Sequence, residues 1–303
     1  MSAPAGADLS VIIPTLDRLE RLEGTLAAIE AQELSGASAE IIVVDNGSRD
    51  GTVERLRRRS GRADLPVHVH EQPRPGASAA RNVGIGAARH PIVLFLGDDT
   101  APADTRLLQA HADLHAARPE PDYAVLGRIA WAPNLHPTPL MRWLERGPQF
   151  AYERLTTGPV SREHFYSSHV SLKTSALREC GGFDERLPFL FEDVELGARL
   201  ADRGLTLDYR PDLVVHHDHP IRLEQWLTRE HVAGRSGRIV NSIRPREPRL
   251  APSPAGPGWL LQRALGVVLR PLPTEYARLP PRLRAAVYTV LSNAAYARGY
   301  RGA

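Results

Sequence analysis

The sequence predicts an α/β fold on three observations. Through roughly the first hundred of the 303 residues, short apolar runs alternate with helix-like segments, the pattern of a sheet covered by helices. The helix-like segments carry leucine and isoleucine at three- and four-residue spacing. Each of the apolar runs Leu9–Ile13, Ile41–Val44 and Ile92–Leu96 ends at a polar or turn-forming residue, and in open α/β sheets ligands bind beyond such strand ends.

Leu9 to Ile13 reads as a buried strand ending at Pro14, and Arg18 to Glu33 as a helix through Leu19, Leu22, Leu26 and Ile29. Ile41 to Val44 is a second strand, followed by a Gly-Ser turn and a helix from about Thr52. Val67 to Val69 is a short third strand, Ala77 to Arg89 a helix, and Ile92 to Leu96 a fourth, strongly apolar strand. Residues 131 to 160 are rich in proline and aromatics and read as loops over a site. Trp131, Trp143 and Tyr152 within them read either as core or as stacking platforms for a ligand, polar or apolar. Phe191 to Leu200 is expected to be a helix, and Leu205 to Tyr209 and Leu213 to Val215 to be strands. After about residue 244 proline and arginine dominate, with two amphipathic helices expected at Trp259–Leu269 and Leu283–Tyr296.

Composition narrows the class. The net charge is +3, and Lys173 is the only lysine among 38 basic residues. The clearest basic run, Arg55, Arg57, Arg58 and Arg59, lies on a helix that reads as solvated, so a nucleic-acid partner is not expected. Cys180 is the sole cysteine, which excludes an intrachain disulfide and a cysteine zinc site and suits a reducing cytoplasm. Met1 to Asp8 shows no basic segment leading an apolar run, and no stretch reaches the roughly 18 apolar residues of a membrane span. A cytoplasmic protein is expected, attached at most to the inner face of the membrane.

The strand ends gather polar groups: Pro14-Thr15, Asp45-Asn46 and Gly97-Asp98-Asp99. Asp45 and Asp98 also read as turn and helix caps, a common use of aspartate. The adjacent carboxylates of Asp98 and Asp99 are harder to explain as caps. They repel one another unless a cation resolves the conflict, and Mg²⁺ or Mn²⁺ takes oxygen ligands together with substrate phosphates.

These residues resemble a known family. Val11-Ile12-Ile13-Pro14-Thr15, then Ile42 to Ser48 with Asp50-Gly51-Thr52, are similar to glycosyltransferase family 2. So are Gly76 with Ala80-Arg81-Asn82 and Gly84, the acidic pair after the fourth strand, Gly181 to Glu185, and Phe191 to Glu195. Six motifs stand in the family's order over roughly residues 9 to 220.

The resemblance implies the GT-A fold: a mixed, mostly parallel sheet flanked by helices, with a helical C-terminal extension. A catalytic domain is expected over residues 1–243, with a nucleotide-binding half at 9–100 and an acceptor-binding half at 101–243; the extension covers 244–303. It further implies an inverting transfer from a UDP- or dTDP-sugar to a hydroxyl of a saccharide, a lipid-linked sugar or a secondary metabolite, assisted by Mn²⁺ or Mg²⁺. Pro14, Thr15 and Leu16 then line the base pocket, Asp45 accepts from the base imide, Arg81 lies near the pyrophosphate, and Asp98 faces the ribose or a second metal position. Asp99 is the metal ligand and His217 completes the shell, with His216 and His219 beside it. Asp193 matches the catalytic base, with its neighbours Glu192 and Glu195 as alternatives for that role, and His169, Gly182, Phe183, Asp184 and Glu192 line the sugar and acceptor pocket. Gly97 departs from the family's usual Asp-x-Asp.

Two other enzyme classes fit less well. A sugar nucleotidyltransferase places a glycine-rich basic loop after its first strand, which Pro14 to Arg18 is not. Gly84-Ile85-Gly86 is only a fragment of a dinucleotide fingerprint, in the wrong place. A nucleotide-sugar-binding scaffold that has lost activity remains the non-enzymatic alternative. The C-terminal helices read as packing or dimerisation elements, or as a surface for anionic membrane.

Overall fold

The computed structural model describes residues 6–59, 64–74, 76–147, 149, 151–187, 189–245, 250–268, 276 and 278–302. Its elements begin with the expected alternation: β1 (Leu9–Thr15), α1 (Leu19–Glu30), β2 (Ala39–Asp45), α2 (Thr52–Arg57), β3 (Val67–Glu71), α3 (Ala77–Ala87) and β4 (Ile92–Leu96). Next come β5 (Thr100–Pro102), α4 (Leu107–Ala117), β6 (Tyr123–Trp131), α5 (Pro139–Glu145), β7 (Gly158–Val160), β8 (His169–Lys173), α6 (Thr174–Glu179), α7 (Glu192–Ala201) and β9 (Thr206–His217). The chain then turns helical: α8 (Leu223–Ile243), α9 (Pro257–Val268) and α10 (Pro281–Arg301).

The described strands form one sheet in the order β3-β2-β1-β4-β8-β6-β9-β5, with β7 on β9. β3, β2, β1 and β4 are mutually parallel, β6 runs parallel to β9, and β8 is antiparallel to both β4 and β6. A mixed, largely parallel sheet flanked by helices is the architecture expected from the resemblance. β1, β2 and β4 are buried almost throughout, and strands covered on both faces read as near-continuous apolar runs. Thr15 pairs with Asp45, and Ile12 with Phe95, so the polar ends of β1, β2 and β4 share one rim.

Several boundaries differ from expectation. The strands expected at Leu205–Tyr209 and Leu213–Val215 merge into one, β9, which starts at Thr206 and carries Arg210-Pro211-Asp212 through a shift of register against Gly127 and Arg128 of β6. A bulge accommodates proline inside a strand. The proline-rich stretch holds a helix, α5, started by Thr138, whose hydroxyl accepts from Met141 N–H, and by Pro139 at its first position. Leu269, the expected end of the first C-terminal helix, lies outside the described residues. Three of the four arginines in the run are paired with carboxylates: Arg55 meets Glu23, Arg57 meets Glu71, and Arg59 is bidentate to Glu30 at 2.9 and 2.7 Å.

Contacts divide the chain into two compact units. The first holds the sheet with its covering helices, over 1–135, 154–188 and 192–219; the second comprises 136–153, 189–191 and 220–303. α8 therefore groups with the C-terminal helices, whereas the expected division lay after it, at 243. Within the second unit Leu140, Leu144, Leu223, Trp226, Val287, Tyr288 and Leu291 build a separate core, and Trp226 Nε1 donates to Ser292 Oγ at 2.8 Å. α8 and α10 touch backbone to backbone: a Cβ on Gly299 would lie 1.8 Å from the His231 carbonyl, and one on Gly234 2.0 Å from that of Tyr296. The packing role expected of the C-terminal helices is met on one side of α9, where Gly266 faces Ala294 and Trp259 faces Tyr296. Leu260, Leu261, Leu265 and Val268 on α9 are exposed. No helix among the described residues is long and apolar enough to cross a membrane.

Candidate active site

Asp45, at the end of β2, is buried, and its two oxygens have different surroundings. Oδ2 accepts from the Gly47 and Ser48 N–H groups, both at 3.0 Å, which is the turn-capping role. Oδ1 is buried without a hydrogen-bond partner, a state that costs stability unless a ligand supplies the donor. Across the turn, Asp17 N–H donates to Ser48 Oγ (2.9 Å), Arg49 N–H to Asp17 Oδ1 (2.7 Å), and Leu19 N–H to Asp50 Oδ2 (2.9 Å). The loop after β1 is thereby pinned, with Asp17 in the left-handed region at φ 51° and Leu16 exposed. Pro14 stays inside β1, paired with Val44.

Asp98 and Asp99 follow β4 as a buried pair. Thr15 Oγ1 donates to Asp98 Oδ2 at 2.8 Å. Arg18 Nη1 spans the pair, 3.1 Å from Asp98 Oδ1 and 2.8 Å from Asp99 Oδ2. Two histidines approach the same Asp99 oxygen: His219 Nδ1 at 3.4 Å and His217 Nε2 at 3.6 Å. Burial and the charge of Asp99 push the Asp98 carboxyl above its usual range. Burial acts on Asp99 in the same sense, but the His219 hydrogen bond and the nearby His217 and Arg18 outweigh it and hold Asp99 low. A carboxylate oxygen with two imidazoles suits Mn²⁺ chemically, and Mg²⁺ through the carboxylate. Among the described residues, though, no three His, Cys, Asp or Glu side chains close into a preformed cage; a guanidinium nitrogen stands at the oxygen they would share. Arg18 is not a site residue in the sequence reading, and His219 stands there only as a neighbour of His217. Arg18 lies in an ordinary loop, and only a partnerless acidic pair pointed to a nearby cation.

Arg81, expected near the pyrophosphate, is buried, with Nη1 3.0 Å from Glu192 Oε1 and its guanidinium 5.3 Å above the Phe183 ring. Glu192 Oε2 is buried without a hydrogen-bond partner. Burial, then repulsion from Asp193, raises the Glu192 carboxyl to about 7 against the pull of Arg81. Asn82 binds the Gly-Gly-Phe turn, donating to the Phe183 carbonyl (2.9 Å) and accepting from its N–H (2.8 Å); a Cβ on Gly182, at φ 67°, would strike it. Asp184 is engaged by Arg186 and lowered chiefly by that hydrogen bond. Phe183 packs edge-on to Phe95. The expected pocket residues Gly182, Phe183 and Glu192 are thus drawn together with Arg81, largely as a buried support. Asp193 opens α7; its Oδ1 accepts from Val194 N–H and its Oδ2 lies 3.4 Å from Ser167 N–H. Leu190 and Phe191, just before it, both hold left-handed φ, 66° and 64°, strain of the kind found beside functional groups.

His169 corrects an expectation. Its ring is fully buried and cannot face a sugar. It closes a hydrogen-bonded chain through the core whose direction is fixed by donor count. Lys173 Nζ donates to His115 Nδ1 (3.2 Å) and to the His115 and Arg118 carbonyls. His115 Nε2 donates to Ser171 Oγ, Ser171 to His111 Nδ1 (both 2.8 Å), His111 Nε2 to His169 Nε2 (3.1 Å), and His169 Nδ1 to the Arg128 carbonyl (3.3 Å). Burial keeps all three rings neutral, with His115 at about 3 and His169 at about 4. Trp131 is also buried, edge-on to His217 at 5.3 Å.

Comparison with known proteins bears on this geometry. A mannosyltransferase from Pyrobaculum calidifontis, solved with GDP-Man and Mn²⁺, superposes over 97% of this chain and 88% of its own with a TM-score of 0.63 at 19% identity. S. aureus TarS residues 1–349, with UDP-GlcNAc, gives 0.59 at 16% over 97% and 92%. Both share the GT-A fold. The pre-mycofactocin glycosyltransferase of Mycobacterium tuberculosis is 28% identical over 236 residues, 78% of this chain and 48% of that protein. The validoxylamine A glucosyltransferase of Streptomyces hygroscopicus is 30% identical over 223 residues, 66% of this chain and 52% of that one. The chain thus spans about half the length of these curated relatives. The model of the family "Glycosyl transferase family 2" matches residues 10–178. With more than half its length matched and the GT-A fold of these enzymes, the chain belongs to glycosyl transferase family 2.

Proposed function

We propose that the chain transfers a sugar from a UDP- or dTDP-sugar to an acceptor hydroxyl with inversion at the anomeric carbon. The observation that carries the reading is the unpartnered, buried Oδ1 of Asp45, on the rim shared with Thr15, Asp98 and Asp99. A uracil or thymine imide N–H would satisfy it, while Oδ2 keeps the turn closed. Pro14, Thr15 and Leu16 border that position. The Pyrobaculum enzyme binds GDP-Man and TarS binds UDP-GlcNAc, which supports a nucleotide-sugar donor.

Asp99 and His217, with His219 beside them, would hold Mn²⁺ or Mg²⁺, which when bound supplies positive charge for the departing diphosphate. Asp193 takes the proton of the acceptor hydroxyl. The acceptor oxygen then forms its bond to the anomeric carbon as the bond from that carbon to the diphosphate oxygen breaks, and the nucleoside diphosphate leaves with the electron pair. Glu192, buried and held by Arg81 at 3.0 Å, supports the sugar and acceptor pocket in this reading, and its unpartnered Oε2 would accept from a sugar hydroxyl only where the donor reaches it.

The test is calorimetric titration of UDP and dTDP with and without Mn²⁺, on wild type and Asp99→Ala. Metal-dependent binding that the variant loses supports the donor site, and a screen of UDP- and dTDP-sugars follows with Asp193→Asn as control. Turnover with a bound donor that Asp193→Asn abolishes separates the transferase from an inactive sugar-nucleotide scaffold. Absence of binding by either nucleotide under every metal condition refutes the donor assignment.

A further inference from the structure

We infer that Arg18 is the resident counter-ion of the acidic pair, displaced from Asp99 when a divalent cation binds and turned onto the donor diphosphate. The inference rests on reading Asp99 and His217 as cation ligands, and it assigns a binding role to a residue in no family motif described above.

Asp99 Oδ2 decides the matter. The Arg18 guanidinium nitrogen lies 2.8 Å from it, and His219 Nδ1 and His217 Nε2 lie within 3.6 Å. A cation bound to that oxygen would have to share it with the guanidinium nitrogen that stands 2.8 Å away. Two cations on one carboxylate oxygen also repel each other in a buried site. Arg18 and the ion are therefore alternatives.

The surroundings show which part can move. The backbone on either side is tied to the 48–50 turn by the bonds of Asp17, Arg49 and Leu19. The Arg18 side chain, by contrast, is 37% exposed, so the part of the pair that meets solvent is the guanidinium, and exchange proceeds by its rotation. Nor is the contact a chance surface pair. Without Arg18, two adjacent buried carboxylates face one another with Thr15 and the histidines as their remaining partners, and buried like charges destabilise the fold. Once swung aside, Arg18 remains at the rim where a diphosphate meets the ion, with a planar fork suited to phosphate oxygens.

Three proteins distinguish the outcomes: wild type, Arg18→Met, which keeps side-chain length without the charge, and Asp99→Asn. Arg18→Lys, which keeps the charge, stands in if the methionine variant does not fold. Free Mn²⁺ is followed by electron paramagnetic resonance, and thermal unfolding is recorded in EDTA and in Mn²⁺. Arg18→Met should melt below wild type in EDTA and recover with Mn²⁺. It should bind Mn²⁺ alone about tenfold more tightly, since a site held shut nine-tenths of the time shows a tenth of its intrinsic affinity. With Mn²⁺ saturating it should bind UDP about tenfold more weakly, having lost a phosphate contact. Arg18→Lys should fall between the two on each measure. Equal Mn²⁺ affinity in wild type and Arg18→Met, lost in Asp99→Asn, overturns the exchange and leaves the metal reading intact. No Mn²⁺ binding by any of the proteins, with or without UDP, overturns both.

Discussion

Replacing His169 by glutamine removes one titratable ring from the buried chain while keeping its two hydrogen-bonding roles: the amide can donate to the Arg128 carbonyl and the carbonyl can accept from His111 Nε2. In the native protein burial holds His169 at about 4, against an ordinary value of 6.5. Because the folded value is depressed, the unfolded chain binds the extra proton. The stability this ring contributes is complete above pH 6.5 and is lost as pH falls toward 4. Between pH 7.5 and 5.5 the loss integrates to about 1.3 kcal/mol. The wild-type profile alone conceals it. Glu192 and Glu230, both raised to about 7 chiefly by burial, take up protons in the native state over the same window and gain roughly 2 kcal/mol each. Subtracting the variant cancels them. Denaturant titrations of both proteins at pH 7.5, 6.5 and 5.5 should show His169→Gln less stable at pH 7.5 and the gap closing by about 1.3 kcal/mol at pH 5.5. A gap that stays constant or widens refutes the neutral histidine chain.

Two further outcomes are expected. Gly127→Ala puts a Cβ 2.0 Å from His169 Cε1, against a ring fixed at both nitrogens, and should cost about 3 kcal/mol in a denaturant titration, with part of the loss recovered in combination with His169→Gln. Glu192→Gln removes a carboxyl that is costly to ionise in place. Wild type should lose about 1.3 kcal/mol relative to this variant as pH rises from 6 to 8, read from melts at both values, and a pH-independent difference would place the Glu192 carboxyl in its ordinary range.

What could be read from the sequence follows from what kind of signal each residue leaves. β1, β2 and β4 were legible because strands buried on both faces are continuous apolar runs, and their polar ends fall on one rim by topology alone. α8 was not, because Gly234, Ser236 and Gly237 interrupt its apolar period; Gly234 is small for the backbone of α10 and Gly237 for the Tyr296 hydroxyl, and α10 lies far along the chain. The start of α5 did leave a signal, Thr138 before Pro139, but it was submerged in a proline-rich stretch that reads as loop. Site residues divide in the same way. Asp45 and Asp99 stand at strand ends, so position announced them. Arg18 meets an Asp99 oxygen about 80 residues away in sequence, a relation no local pattern encodes, whereas His219 lay beside His217 in the sequence reading. His169 misled for the opposite reason. A histidine flanked by serines beside a Gly-Gly-Phe-Asp motif has the composition of a pocket, yet the alternation of β8 turns its ring inward to meet His111. Asp45 shows that the bland and the functional explanation of a residue need not compete. One of its oxygens caps the turn as any aspartate would, and the other is left buried without a hydrogen-bond partner, which is the oxygen the proposed base contact uses.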